Sequence, residues 1–101
     1  MSSSAPEVRE ALAQGVTVTD DTLAVDLVDG RTVSIPLAWY PRLFHGSAEE
    51  RGNWRVMGRG DGIHWPDLDE DISVADLLAG LNSGETQDSL RRWLEGRQQE
   101  G

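Results

Sequence analysis

The sequence predicts a small α+β domain: a mainly antiparallel sheet of two hairpins, with short helices and a C-terminal amphipathic helix. Three observations predict it. Residues 16–37 and 54–65 alternate apolar and polar side chains with period two. Each run is broken by a glycine-bearing turn. Residues 74–81 and 87–98 then switch to helical spacing. With 101 residues the chain suits one domain and one modest core. Its division is read as a leader over 1–15, a single domain over 16–82, and a C-terminal helix and tail over 83–101.

In the leader, Ser4-Ala5-Pro6-Glu7 has the form of a capping box, Val8, Ala11 and Leu12 share one helical face, and Gly15 can stop a turn. A three-residue stripe supports either a frayed helix or a plain tail. Val16 and Val18 open the first strand, and Asp20-Asp21 marks a bend. Leu23, Val25 and Leu27 alternate along the next strand. Parity decides the loop that follows. A two-residue Asp29-Gly30 loop would mix the faces. A three-residue loop, Val28-Asp29-Gly30, pairs Leu27 with Arg31, Val25 with Val33 and Leu23 with Ile35, and puts Gly30 at the left-handed position of a bulge. Pro36 lacks an N–H and belongs at a strand end.

Tyr40 precedes Pro41 and avoids the α region, while Pro41 can open a short turn. Ser47-Ala48-Glu49-Glu50 is a second capping box, closed by Gly52 or Asn53. In the second hairpin, a turn around Gly60-Asp61 pairs Val56 with Trp65 and Gly58 with Ile63. Trp54, Val56, Ile63 and Trp65 then share one face. Pro66 ends that strand. Ser73 reads as an N-cap for Val74, Leu77, Leu78 and Leu81, with Gly80 as the stop. Leu90, Trp93 and Leu94 form the stripe of the last helix. Asp88 lies near its start and Arg97 near its end, as the helix dipole favours.

Composition removes several function classes. All nine basic residues are arginine, against 18 acidic ones, for a net charge of −9, and there is no cysteine. Without lysine there is no Schiff base and no P-loop lysine. Without cysteine there is no thiolate nucleophile, disulfide or zinc finger. The acidic balance disfavours direct nucleic-acid binding. No apolar run is long enough for a membrane span, and Met1-Ser2-Ser3-Ser4-Ala5-Pro6 is not a signal peptide, so a cytoplasmic location is expected.

Three segments together carry a resemblance: Ile35-Pro36-Leu37-Ala38-Trp39-Tyr40-Pro41-Arg42-Leu43; Glu50-Arg51-Gly52-Asn53-Trp54-Arg55; and Gly60-Asp61-Gly62-Ile63-His64-Trp65-Pro66-Asp67-Leu68-Asp69-Glu70-Asp71-Ile72-Ser73. They resemble the bacterial "domain of unknown function 2442" family over roughly residues 16–95. The resemblance implies a small α+β domain in a bacterial cytoplasm. It also implies an antitoxin-like role beside a small neighbouring-gene product, frequently of "domain of unknown function 4160". The family lends no catalytic residues.

The residues themselves offer one chemical-looking stretch. Asp67, Asp69 and Asp71 mimic the first ligands of an EF-hand loop, but Ile72 stands at the glycine position and Leu78 where a glutamate belongs, so no metal site is expected. The plain reading is that these carboxylates solvate a loop and complement the helix starting at Ser73. The functional reading is a recognition surface, with Trp65 and Pro66 as apolar anchor and Asp67, Asp69, Glu70 and Asp71 as charged rim. His64 faces away from Ile63 and Trp65, with Asp61 or Asp67 close in sequence. Gly58-Arg59-Gly60-Asp61-Gly62 reads as a hairpin tip, with an anion nest as the lesser reading. Trp54 and Trp65 are expected in the core, and Trp39-Tyr40 partly exposed. Arg51, Arg55 and Arg59 would pair internally with the acidic run.

These readings converge on a non-enzymatic, antitoxin-like interaction module. It would bind a small, basic protein partner without cofactor, metal, nucleic acid or membrane, and a homo-oligomer is compatible with it. The alternatives are a ligand-binding or enzymatic domain centred on His64, and an acidic nucleic-acid mimic.

Overall fold

A computed structural model describes residues 11–100. The architecture is α+β, as the hydropathy pattern predicts, with six strands in two three-stranded antiparallel sheets. The first sheet is a meander of β1 (Ala13–Val18), β2 (Thr22–Leu27) and β3 (Thr32–Pro36). Leu23 pairs with Ile35 and Val25 with Val33, the register that parity demands. The Leu27 N–H donates to the Arg31 carbonyl at 2.8 Å across the three-residue loop, and Gly30 takes φ +98° at its bulge. Leu23, Val25 and Leu27 are buried, so this face is the core face.

The first strand takes in Ala13, Gln14 and Gly15, which the sequence reading placed in the leader. Gly15 is therefore a strand residue beside a bulge and not a helix stop. The Ser4–Glu7 capping box and Val8 lie outside the described residues.

After Pro36 the chain makes one 3-10 turn, Leu37–Trp39, and then α1 (Pro41–Phe44) and α2 (Ala48–Gly52). Tyr40 stays out of the helical region before Pro41, at φ −125° and ψ 85°. The Ser47–Glu50 capping box forms, with hydrogen bonds of 2.9 and 3.0 Å. The Arg51 guanidinium reaches back to cap α1. It donates to the Leu43 carbonyl at 2.9 Å and the Phe44 carbonyl at 2.8 Å.

The second sheet is β4 (Arg55–Met57), β5 (Gly62–Trp65) and β6 (Glu70–Ser73). Its first hairpin keeps the expected faces but not the expected register. Val56 pairs with Ile63 and Met57 with Gly62, two residues from the predicted pairing. A two-residue shift leaves every side chain on its own face, so parity alone could not distinguish the two registers. The loop is then Gly58–Asp61. It ties the two sheets together, because the Ala13 N–H donates to the Gly60 carbonyl at 2.7 Å.

The third strand of this sheet was not anticipated. Glu70–Ser73 pairs with β5, with His64 opposite Asp71 and Trp65 opposite Glu70. Ser73 ends the strand and also caps α3 (Val74–Ala79), its hydroxyl accepting from the Asp76 N–H, and Gly80 stops the helix at φ +79°. Leu78 and Leu81 of the expected stripe stay exposed, while Val74 and Leu77 are buried. The last helix, α4, runs Gln87–Glu100. It is held by packing of Trp93 against the core and by polar and cation–π contacts. Trp93 lies under both the Arg42 and Arg97 guanidinium groups, 5.1 and 4.6 Å from its ring centre. Arg97 also grips Glu50 at 2.8 and 3.1 Å.

Candidate functional site

The acidic segment spans the four-residue connection from β5 to β6 and the first two residues of β6. Leu68 is its fully buried pin, and Asp69 adopts φ 52°, a left-handed conformation that aspartate tolerates. Three of its four acids meet a neighbouring side chain. Asn53 donates to Asp67 at 2.9 Å. Arg42 donates to the Asp69 carbonyl at 3.1 Å and faces its carboxylate at 3.5 Å. His64 pairs with Asp71 across the sheet. Pro66, Asp67, Asp69 and Asp71 remain exposed.

Two members of the expected surface are not on it. Trp65 is completely buried, and its indole N–H donates to the Arg51 carbonyl at 2.9 Å. It belongs to the core because it points, with Ile63, to the inner face of β5. It cannot anchor a partner. Glu70 is only 8% exposed. It shares the inward parity of Ile72, and the sequence reading missed this by treating residues 67–71 as one loop.

The inward turn of Glu70 builds a cleft that the sequence did not show. About 360 Å³ in volume, it is lined by Arg42, Asp69, Glu70, Asp71, Ser83 and Glu85, among others. A smaller cavity of about 50 Å³ continues on the Tyr40 side of Glu70, past Asn82 and Asp76. Arg42 and Glu85 form one wall as a fork of two hydrogen bonds, 2.9 and 2.8 Å, and Ser89 donates to the same carboxylate at 2.7 Å. Those bonds hold Glu85 below the usual carboxylate pKa. Glu70 is moved the other way, from the usual 4.5 to about 7. Burial is the main cause. Arg42 opposes it, while Glu85, Asp71 and Asp69 add to it.

Tyr40, expected to be partly exposed, is buried and donates its hydroxyl to the Leu81 carbonyl at 2.9 Å. Trp39 beside it is exposed. Arg51 pairs with Asp20 at 3.1 Å and not with the acidic run, a role that falls to Arg42. His64 faces Asp71, the residue opposite it in the sheet, in place of the Asp61 or Asp67 expected from sequence proximity.

A broad apolar groove of about 830 Å³ lies elsewhere, between Leu12, Met57, Ile72 and Leu78. Among the described residues no group of three histidines or carboxylates is arranged to hold a metal ion, and no helix is long and apolar enough to cross a membrane.

Comparison with known proteins gives a consistent picture. The family described as "Protein of unknown function (DUF2442)" matches residues 13–83. A crystal structure of a protein of unknown function from Rhodospirillum rubrum is similar, with a TM-score of 0.65 and 28% identity, over 79% of this chain and 96% of that one. No curated protein matches.

Proposed function

The chain belongs to the DUF2442 family of proteins of unknown function, and on that footing we propose that it is a non-enzymatic interaction module. In this reading it is an antitoxin-like partner of a small basic protein. The observation that carries the proposal is the exposed acidic lip of Asp67, Asp69 and Asp71, whose carboxylates meet Asn53, Arg42 and His64. A braced carboxylate loses little side-chain freedom when it meets a guanidinium or ammonium group, so more of the pair's energy is available for binding. The excess negative charge of the chain steers a basic partner to the lip, and local pairs then fix its register. Pro66 supplies apolar contact at the edge. Trp65 supports the lip from within the core.

Co-expression with the product of the adjacent gene tests this. The two should co-purify, and the triple change D67N/D69N/D71N should weaken the association strongly while leaving the fold intact. A folded triple variant that binds as well as the parent overturns the proposal.

A further inference from the structure

We propose that the cleft between β6, α1 and the 80–86 linker is a subsite for one cationic side chain, a guanidinium or ammonium group, with Glu70 as its buried anchor. This deepens the interaction reading and rests on it: the cation is one presented by the basic partner.

The argument starts from an unsatisfied group. The Glu70 residue is more than nine-tenths buried, yet its carboxyl makes no hydrogen bond among the described residues. Buried polar groups in native proteins are nearly always paired, and an exception calls for a missing partner. Glu70 lines both the 360 Å³ cleft and the 50 Å³ cavity beside it, so open space borders this residue.

Charge defines what fits that space. Asp69, Glu70, Asp71 and Glu85 face the cleft from β6, the turn before it and the linker. Arg42 is the single cation among its lining residues, and its fork is already committed to Glu85. Asp69 already faces Arg42 and Asp71 faces His64, so among the cleft's carboxylates Glu70 is the group left for an incoming charge. The arrangement does not suit a metal ion, which needs three or more ligands at one point. It suits a side chain with several N–H donors spread in space. The Ser83 hydroxyl and the Asn82 amide offer further acceptors along the wall.

Entry of the cation would be linked to a proton. The groups around Glu70 are Arg42 on α1, Tyr40 before it, Asp76 on α3, Glu85 on the linker, and Asp69 and Asp71 on its own segment. Burial and the surrounding acids hold Glu70 protonated up to about pH 7. A guanidinium beside it favours the carboxylate, so binding releases that proton and strengthens as pH rises.

Nuclear magnetic resonance titration of the full chain tests the subsite. The probes are N-acetyl-arginine amide and N-acetyl-lysine amide, with N-acetyl-citrulline amide as the uncharged control. The cationic amides should shift the backbone resonances of Glu70, Asp71, Ser83 and Glu85 with millimolar affinity. Affinity should rise roughly tenfold from pH 6 to pH 8, following the ionised fraction of Glu70. E70Q keeps the shape and matches the protonated form, so it should fold, and it should lose the pH dependence and at least tenfold of the pH 8 affinity. No shift at tens of millimolar, equal binding by citrulline amide, or equal binding by E70Q overturns the subsite. If the cationic amides fail while partner binding remains salt-sensitive, the subsite falls and the interaction reading stands. If the amides bind but no partner does, the subsite stands and the interaction reading falls.

Discussion

Arg42 and Glu85, separated by 43 positions in sequence, are joined by two parallel hydrogen bonds of 2.9 and 2.8 Å. Their side chains are 16% and 8% exposed, so water screens the pair little. The fork ties α1 to the linker before α4 and forms one wall of the Glu70 cleft. Removing one partner leaves the other charge stranded. R42M and E85Q should each cost about 2–3 kcal/mol in urea denaturation, and the double variant should cost less than their sum.

The pH profile of stability has two opposed limbs. Glu50 and Glu85 have lowered pKa values because Arg97 and Arg42 hydrogen-bond their carboxylates. Their contribution is present above the unfolded value and is lost as pH falls through the folded one. Glu70 has a raised value, so its folded form holds a proton that the unfolded chain has released. Its effect is full below the unfolded value of 4.5 and is lost as pH rises to about 7. Stability should therefore decline between about pH 4.5 and pH 7. E70Q should flatten that decline and stand about 1–2 kcal/mol above the parent at pH 8, by chemical denaturation at each pH.

Trp65 separates a core role from a contact role. Its ring is fully buried and its N–H is paired. W65F should lose about 2 kcal/mol through a smaller ring and an unpaired Arg51 carbonyl, and W65A about 3–5 kcal/mol. Folded W65F should bind the partner as the parent does. Loss of binding without loss of stability would place this ring at the interface.

Two glycines on different loops should behave unequally. Gly30 is at φ +98° with open space around it, and G30A should cost about 1 kcal/mol. Gly60 is at φ +112°, and a Cβ there would lie 2.9 Å from the Ala13 carbonyl and 3.1 Å from Leu12. That crowding falls on the backbone bridge between the sheets. G60A should cost about 2–3 kcal/mol and lower the thermal midpoint well beyond G30A.

The first sheet was legible because parity and a glycine turn give one answer there. Leu23, Val25 and Leu27 must face one way, and only the three-residue loop puts Ile35 and Val33 opposite them. The second hairpin was legible in its faces but not in its register, since a shift of two residues is invisible to alternation. The strand over Glu70–Ser73 was hidden by its acids. Glu70 carries a charged side chain on an inward position, and Asp71 and Ser73 outline the outer face as a loop would. The signal that finds it is the run Glu70, Ile72, Val74 at spacing two, all of them buried. Arg42 and Glu85, which build the cleft, come together only through the tertiary fold, and no local spacing announces such a pair.

The most direct test of the interaction reading is the salt dependence of binding to the adjacently encoded protein, measured side by side for the parent and D67N/D69N/D71N. The parent should lose affinity steadily as salt rises from about 50 to 300 mM, and the variant should bind weakly with a much shallower slope. Equal affinity and equal slope for the two folded proteins would contradict the account.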